Sequence, residues 1–299
     1  MGELRGGPDE PDSDDRLSRD APAAAHGDTG AARQRLEPRS RAEYAADLER
    51  QAADRDALRR FEPRRVGLPE VSTTDGTAYF DKHHAERPWL SVARDSPPEV
   101  QRVFAALDQG GGHAHIRHEG WVTEEMNERR LRFLEDPAQL DPARRAAGVD
   151  GLAPGDKPHR CGSTATRITS PDAFAMALVK GAGHQDVRAA LGAEFRERRV
   201  PPPVVLPIAD VLGPDGHRFC SGWQLERVDG SMRTARNLRD AWASARDGPE
   251  PKSRRVETFD GGTATFMFGP NRARNGYEIV TMYVNPPKGP AGQQGRDAR

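Results

Sequence analysis

Apolar and polar positions divide the chain into a polar first part and a longer domain. Residues 1–40 contain almost no large apolar side chains and are rich in Asp, Arg, Gly, Ala and Pro. Such a stretch cannot bury enough apolar surface to offset the entropy of ordering it, so we expect disorder there. Apolar residues at helical spacing predict a short, solvated helix at 41–61. Prolines interrupt residues 62–98, so that 1–98 as a whole is predicted to be disordered or linker.

The remainder of the chain has apolar residues spaced first as in helices and then as in strands. Helical spacing predicts helices at 98–108, 123–135, 170–179, 184–198 and 235–245. Alternation predicts strands at 204–208, 255–259, 263–268 and 277–284, the last three forming an antiparallel meander. Helices followed by hairpins are typical of an α+β fold. We predict N-terminal helices packed on a small antiparallel sheet, formed mainly by the C-terminal meander, in a domain at 99–289 followed by a disordered tail at 290–299.

The last predicted strand carries two hydroxyl groups on one face. Successive side chains of a strand point to opposite faces, so Thr281 and Tyr283 share a face. The opposite face is apolar and is expected to pack on the helix that begins at Ser170; its residues are Val280, Met282 and Val284. A threonine and a tyrosine are also simply common in strands. The pair is therefore informative only together with other candidate residues.

Three histidines precede the second predicted helix of the domain. His113, His115 and His118 follow a run of glycines, and Arg129 and Arg130 lie on the helix behind them. Imidazole titrates near neutral pH and can act as a general base or acid, while a guanidinium can hold a phosphate with its planar array of donors. With the two hydroxyl groups of the last strand, these side chains could cleave RNA without a metal or another cofactor. The base would deprotonate a ribose 2′-OH, and the arginine would stabilise the pentavalent phosphorane.

Four motifs occur in this order along the chain. They are Gly112-His113 with Arg117-His118-Glu119-Gly120, Arg130-Leu131, Ser163-Thr164-Ala165-Thr166 and Thr281-Met282-Tyr283. Their order and spacing resemble the RNase A-like toxin domain at the C-terminus of CdiA-type contact-dependent inhibition effectors. The resemblance covers a little over half of the chain. Because the span exceeds the compact family domain, it implies insertions near 135–162 and 196–250.

The resemblance also implies a function and a set of site residues. By it, the active-site residues are His118, Arg130 (or Arg129 in its place), Thr281 and Tyr283. His118 would be the general base, and His113 or His115 would act structurally or as a secondary acid. The implied activity is a ribonuclease that leaves a 2′,3′-cyclic phosphate, with no metal or other cofactor. The implied partners are RNA and a cognate immunity protein; DNA, which lacks the 2′-OH, is not expected to be cleaved.

Two other functions remain open from the sequence. The three clustered histidines also fit His-x-His-x-x-His, a spacing that suits zinc in hydrolases, although Arg117 would place a cation beside the metal. A non-catalytic RNA- or protein-binding module is the other alternative, and it is favoured if the hydroxyl groups of the last strand point into the core. The remaining histidines of the domain lie beside turn or polar residues and are interpreted as surface residues: His159, His184 and His217.

Composition and charge add few constraints. The 299 residues carry a net charge of −1, with the acidic excess in the first hundred residues and a basic excess after them that suits RNA. The N-terminus lacks the apolar core of a signal peptide, and no run is long enough to cross a membrane. We therefore expect a protein that is cytoplasmic as synthesised, exported, if at all, without a cleaved signal, and acting in a target-cell cytoplasm if it is a toxin. Cys161 and Cys220 could pair outside the cytosol or remain two buried thiols.

Overall fold

The computed structural model describes residues 41–196 and 199–288, and these residues form an α+β fold. The helices are α1 (Arg41–Arg60), α2 (Thr73–His83), α3 (Pro88–Ser91), α4 (Pro98–Gln109), α5 (Ala114–Arg117), α6 (Glu124–Phe133), α7 (Pro142–Ala146), α8 (Pro171–Gly183), α9 (Gln185–Leu191), α10 (Ile208–Leu212) and α11 (Met232–Ala245). The strands are β1 (Thr164–Ile168), β2 (Val204–Pro207), β3 (Cys220–Leu225), β4 (Ser253–Arg255), β5 (Thr263–Asn271) and β6 (Gly276–Asn285). The disorder predicted for 1–40 and for the tail at 290–299 concerns positions outside the described residues.

The strands form two antiparallel sheets of three strands each, in the orders β1-β3-β4 and β2-β5-β6. The predicted α+β class is confirmed, but the predicted meander is wrong at its first strand. Residues 253–255 pair with β3 in the other sheet. The reason is that β2 occupies the free edge of β5, with Val204 opposite Phe266, so that no edge remains there for a third C-terminal strand.

Helix α8 packs on the sheet β2-β5-β6 and with α4 forms the centre of the core. The Ser170 side chain accepts a hydrogen bond from the Ala173 N–H, and Pro171 opens the first turn, two features that favour a helix start there. Gly181 lies against the ring of Phe266, where an added Cβ would come within 2.0 Å of a ring carbon. Only glycine at this position permits so close an approach of the helix to the sheet.

The prediction of a linker over 62–98 is wrong. Helices α2 and α3 lie in this range, and Leu68, Phe80 and Leu90 are fully buried in the main apolar cluster. The helix predicted at 41–61 agrees with α1. Large apolar residues are sparse in 62–98, so the periodicity is weak, but those that occur pack in or against the core of the compact unit that begins at residue 47.

The segment 196–250, predicted to be an insertion, includes a strand of each sheet among its described residues. It contributes β2, which pairs with β5, and β3, the central strand of the other sheet. Cys161 and Cys220 are free, half-buried thiols, and burial raises the pKa of Cys220 to about 12. Among the described residues, no helix combines the length and apolarity needed to cross a membrane.

A β-bulge in β6 changes which side chains share a face. The pairing register with β5 shifts at Val280, which is the extra residue. Ile279, Met282 and Val284 therefore face the apolar cluster that contains α8, whereas Val280 is only half-buried. The predicted core face is thus wrong at Val280. The two hydroxyl-bearing residues keep their common face because both follow the bulge.

Candidate active site

The structure brings His118 to the hydroxyl-bearing face of β6. The ring centroids of His118 and Tyr283 are 5.5 Å apart. The Nδ1 atom of His118 lies 3.1 Å from the carbonyl oxygen of Thr166 in β1. Because a carbonyl can only accept, Nδ1 carries the proton and Nε2 keeps its lone pair. His118 is thus held in the tautomer that can act as a base through Nε2.

Hydrogen bonds to carbonyl oxygens of β6 hold the histidine segment and β1 against that strand. The His113 N–H donates to the carbonyl oxygen of the bulged Val280 at 2.8 Å, and the Thr166 hydroxyl donates to the carbonyl oxygen of Val284. Because Val280 is the unpaired residue of the bulge, its carbonyl oxygen is available to accept this hydrogen bond from His113. Thr281 is buried, and its Oγ1 has no hydrogen-bond partner among the described residues. An unpartnered buried hydroxyl is costly and is often found at functional sites.

Arg130, rather than Arg129, faces this cluster. Arg130 is 6% exposed; its Nη1 donates to the Arg117 carbonyl oxygen at 3.0 Å, and its Nε donates to Nε2 of His159 at 3.2 Å. Within the described part of the chain no carboxylate forms an ion pair with it, and burial lowers the pKa of its guanidinium. Arg129 is instead exposed and pairs with the buried carboxylate of Glu135 at 2.6 Å. A buried guanidinium without a carboxylate is suited to an anionic ligand.

His159 is buried beside Arg130, so its interpretation as a surface residue is wrong. It is 1% exposed, and its Nδ1 lies 3.3 Å from Asp150 Oδ2. Since Nε2 accepts from Arg130, Nδ1 carries the proton and donates to the carboxylate. Asp150 and Asp136 are in turn paired with Arg117, at 2.8 and 2.5 Å. The segment 135–162, predicted to be an insertion, thus supplies the groups that surround Arg130.

Burial keeps the imidazoles of the site neutral. It lowers the pKa of His113 and of His159 to about 4 and that of His118 well below its usual value. The charge of Arg130 is the next cause for His118 and His159, and that of Arg117 for His113. All three rings are therefore unprotonated at neutral pH, which is the state that a general base requires.

The three histidines predicted as a zinc alternative do not form one ligand set. His115 is fully buried, edge-on to Phe104 at 6.4 Å, with Nε2 3.7 Å from Asp108. Among the described residues, the group with ligand atoms within 4.8 Å of one another is Asp136, Asp150 and His159. The guanidinium of Arg117 already lies between these two carboxylates. A divalent cation there would meet a fixed positive charge, so this group does not suit a metal.

Glu119 is a second buried group beside His118 that sequence reasoning did not single out. Its Oε2 accepts from the Trp121 N–H at 3.1 Å, while Oε1 has no hydrogen-bond partner among the described residues. Burial raises the pKa of this carboxyl to about 7. The sequence offered no signal for this burial, because Glu119 lies in a turn among polar residues.

The roles of Asp136, Asp150 and His159 around Arg130 were also missed by the sequence analysis, since each is a single polar residue in a loop without periodicity.

Comparisons with protein-family models, with curated proteins and with solved structures find no match to this chain. What the site can do therefore follows from its chemistry: the neutral imidazole of His118 lies next to the Tyr283 ring and close enough to the buried guanidinium of Arg130 for that charge to lower its pKa.

Proposed function

We propose that the chain is a metal-independent ribonuclease of the toxin type. The observation that carries the proposal is Arg130, a buried guanidinium with no carboxylate partner among the described residues, next to a neutral His118. Asp136 and Asp150 attract this guanidinium only from a distance and are paired directly with Arg117, so its burial is costly unless an anionic ligand binds to it. A phosphate diester is such a ligand, and its geometry matches the donors of a guanidinium.

The reaction uses His118 as the base. Nε2 accepts the proton of a ribose 2′-OH, the 2′-oxygen forms a bond to phosphorus, and the bond from phosphorus to the 5′-oxygen breaks. Arg130 and the Thr281 hydroxyl stabilise the charge on the phosphoryl oxygens. The products are a 2′,3′-cyclic phosphate and a 5′-hydroxyl.

Tyr283 is the group that protonates the leaving 5′-oxygen. Its phenol carries an O–H donor, whereas the pKa of about 4 leaves His113 almost wholly unprotonated. The ring centroids of His118 and Tyr283 are 5.5 Å apart. The resting state is restored when the proton taken up by His118 passes to the phenolate of Tyr283. His113 acts structurally in this scheme, through its N–H bond to Val280.

The family resemblance supports two further parts of the proposal. The partners are RNA and a cognate immunity protein, and the action takes place in the cytoplasm of a target cell. DNA is not a substrate, because it lacks the 2′-OH nucleophile.

The test is cleavage of total RNA and of single-stranded DNA by the full chain, with and without EDTA. Replacing His118 by Ala should lower the rate by about 10²- to 10⁴-fold, the usual contribution of a general base. The matched control is His217→Ala, a half-buried histidine outside the cluster, which should retain the wild-type rate. Loss of activity in EDTA contradicts the proposal, and RNA binding without cleavage favours the binding-module alternative.

A further inference from the structure

One face of the β5–β6 ladder continues from the proposed active site into an open cleft. Residues directly opposite in an antiparallel pair point to the same side, and the core side is taken by Phe266 and Met282. The other side carries Thr281 and Tyr283, then Thr265, opposite Tyr283, and finally Asn285. A row of hydroxyl and amide groups thus leads away from His118 along β6.

This cleft, here called the strand cleft, has a volume of about 1070 Å³ and lies beside both sheets. Its lining includes Arg227, Arg254, Glu257, Thr265, Asn285 and Lys288. Asn285 Nδ2 donates to Thr265 Oγ1 at 2.9 Å, so the two side chains hold each other in place in the lining of the cleft. Asn285 is two residues from Tyr283, about 7 Å along a strand. Tyr283 itself does not line the strand cleft, but the cleft begins one step along the same strand face, at Asn285.

The charge of the strand cleft favours a polyanion. Three of its described lining residues are basic, Arg227, Arg254 and Lys288, against a single carboxylate, Glu257. Arg254 and Glu257 are 3.7 Å apart, and both side chains are largely exposed. Such an exposed ion pair contributes little to stability, because solvent screens it. Arg254 can therefore exchange this carboxylate for a phosphate at little cost.

The lining also indicates which part of a nucleic acid would be bound. None of the described lining residues is aromatic, so the strand cleft offers no ring on which a base could stack. Threonine, asparagine and glutamine side chains with arginine and lysine are the groups that contact phosphate and sugar oxygens. Binding through these groups is dependent on salt and largely independent of sequence.

We propose that the strand cleft binds the sugar-phosphate backbone of single-stranded RNA on one side of the scissile phosphate. This inference rests on the proposed function, since it takes the scissile phosphate to lie at His118 and Tyr283. It adds the path of the substrate, along β6 from Thr281 towards Lys288.

The test measures binding separately from cleavage. A fluorescein-labelled 2′-O-methyl oligoribonucleotide lacks the free 2′-OH and cannot be cleaved by the proposed reaction, so its affinity for the full chain can be followed by anisotropy at several salt concentrations. Arg254→Gln and Lys288→Gln should each weaken binding several-fold. Each should also make the slope of log K against log salt shallower by about 0.7, as expected for one lost phosphate contact to a single strand. Glu257→Gln should tighten binding, because it removes the carboxylate of the cleft.

The matched control is Arg65→Gln. Arg65 is exposed and pairs with Glu62 three residues away, as Arg254 pairs with Glu257, but it does not line the strand cleft. Equal weakening by Arg65→Gln, or no effect of Arg254→Gln and Lys288→Gln, overturns the inference. If the wild type cleaves RNA while these variants bind normally, the ribonuclease stands and the proposed path fails. If the wild type cleaves nothing but the variants lose binding, the ribonuclease fails and the strand cleft is supported.

Discussion

Replacement of His159 tests how Arg130 is held in the site. Nε2 of His159 accepts from Arg130 Nε at 3.2 Å, and Nδ1 faces Asp150 at 3.3 Å, so the imidazole links a carboxylate to the guanidinium. His159→Ala removes both contacts and leaves the buried Nε–H of Arg130 without an acceptor. His159 does not reach the reacting atoms in the proposed scheme. It is a positioning residue, and its effect on catalysis should run through Arg130.

Two magnitudes follow from this geometry. A buried donor without a partner costs about 1–3 kcal/mol and a hydrogen bond to a charged group about 1.5–3 kcal/mol, so His159→Ala should lower the free energy of unfolding by about 2–4 kcal/mol. A displacement of about 1 Å in a positioned catalytic group can cost about 100-fold in rate. We expect a kcat loss of that order, with a smaller change in KM.

Two conservative variants separate positioning from general destabilisation. His159→Gln keeps an acceptor near the position of Nε2 and should stay within about tenfold of the wild-type rate, whereas His159→Asn keeps only a donor near Nδ1 and should lose about as much as His159→Ala. Initial rates on an oligoribonucleotide at pH 7, with urea unfolding of each variant, give both readouts. Equal kcat for the Gln and Asn variants, or full activity of His159→Ala, would refute the positioning role.

Three further predictions concern neighbouring groups. Arg130→Lys should lower kcat by at least tenfold, because a point charge replaces a planar array of donors, while Arg129→Lys should leave kcat unchanged; initial rates compare the two. Thr281→Val removes the unpartnered buried hydroxyl, so the free energy of unfolding should rise by about 1 kcal/mol while kcat falls, and a rise in both would argue against a role for the hydroxyl. Because the pKa of Glu119 is raised in the folded state, the wild type loses stability as the pH rises from the pKa of this carboxyl in the unfolded chain towards about 7. Urea unfolding should therefore show that Glu119→Gln gains roughly 2 kcal/mol more at pH 8 than at pH 5, and equal gains at both pH values would contradict the assignment.

Local signals were sufficient for parts of the fold. Ser170 and Pro171 mark the start of α8, and the alternation of apolar residues identified β5 and most of β6. The start of α8 and the two strands depend on a few neighbouring residues, which is why the sequence predicts them. The proximity of His118 to Tyr283 was instead implied by the family resemblance, because no local signal connects residues so far apart in the chain.

Features that depend on distant contacts were not predictable in the same way. The bulge at Val280 exists because of its pairing with β5 and its contact with His113. Phe80 and Leu90 each follow one aromatic residue in a short apolar run without helical periodicity, and their burial depends on the rest of the core. A fragment that starts at residue 99 would lack these side chains, so that activity should be measured on the full chain.

The most direct test of the ribonuclease proposal is the chemistry of the product ends. The full chain is incubated in EDTA with an oligoribonucleotide. A parallel incubation uses the same oligonucleotide with one ribose at a cleavage site replaced by 2′-deoxyribose. The masses of the products are determined by mass spectrometry. The proposal predicts fragments that end in a 2′,3′-cyclic phosphate and no cleavage after the deoxy position. The absence of cleavage, fragments with a 3′-hydroxyl, or cleavage after the deoxy position would contradict it.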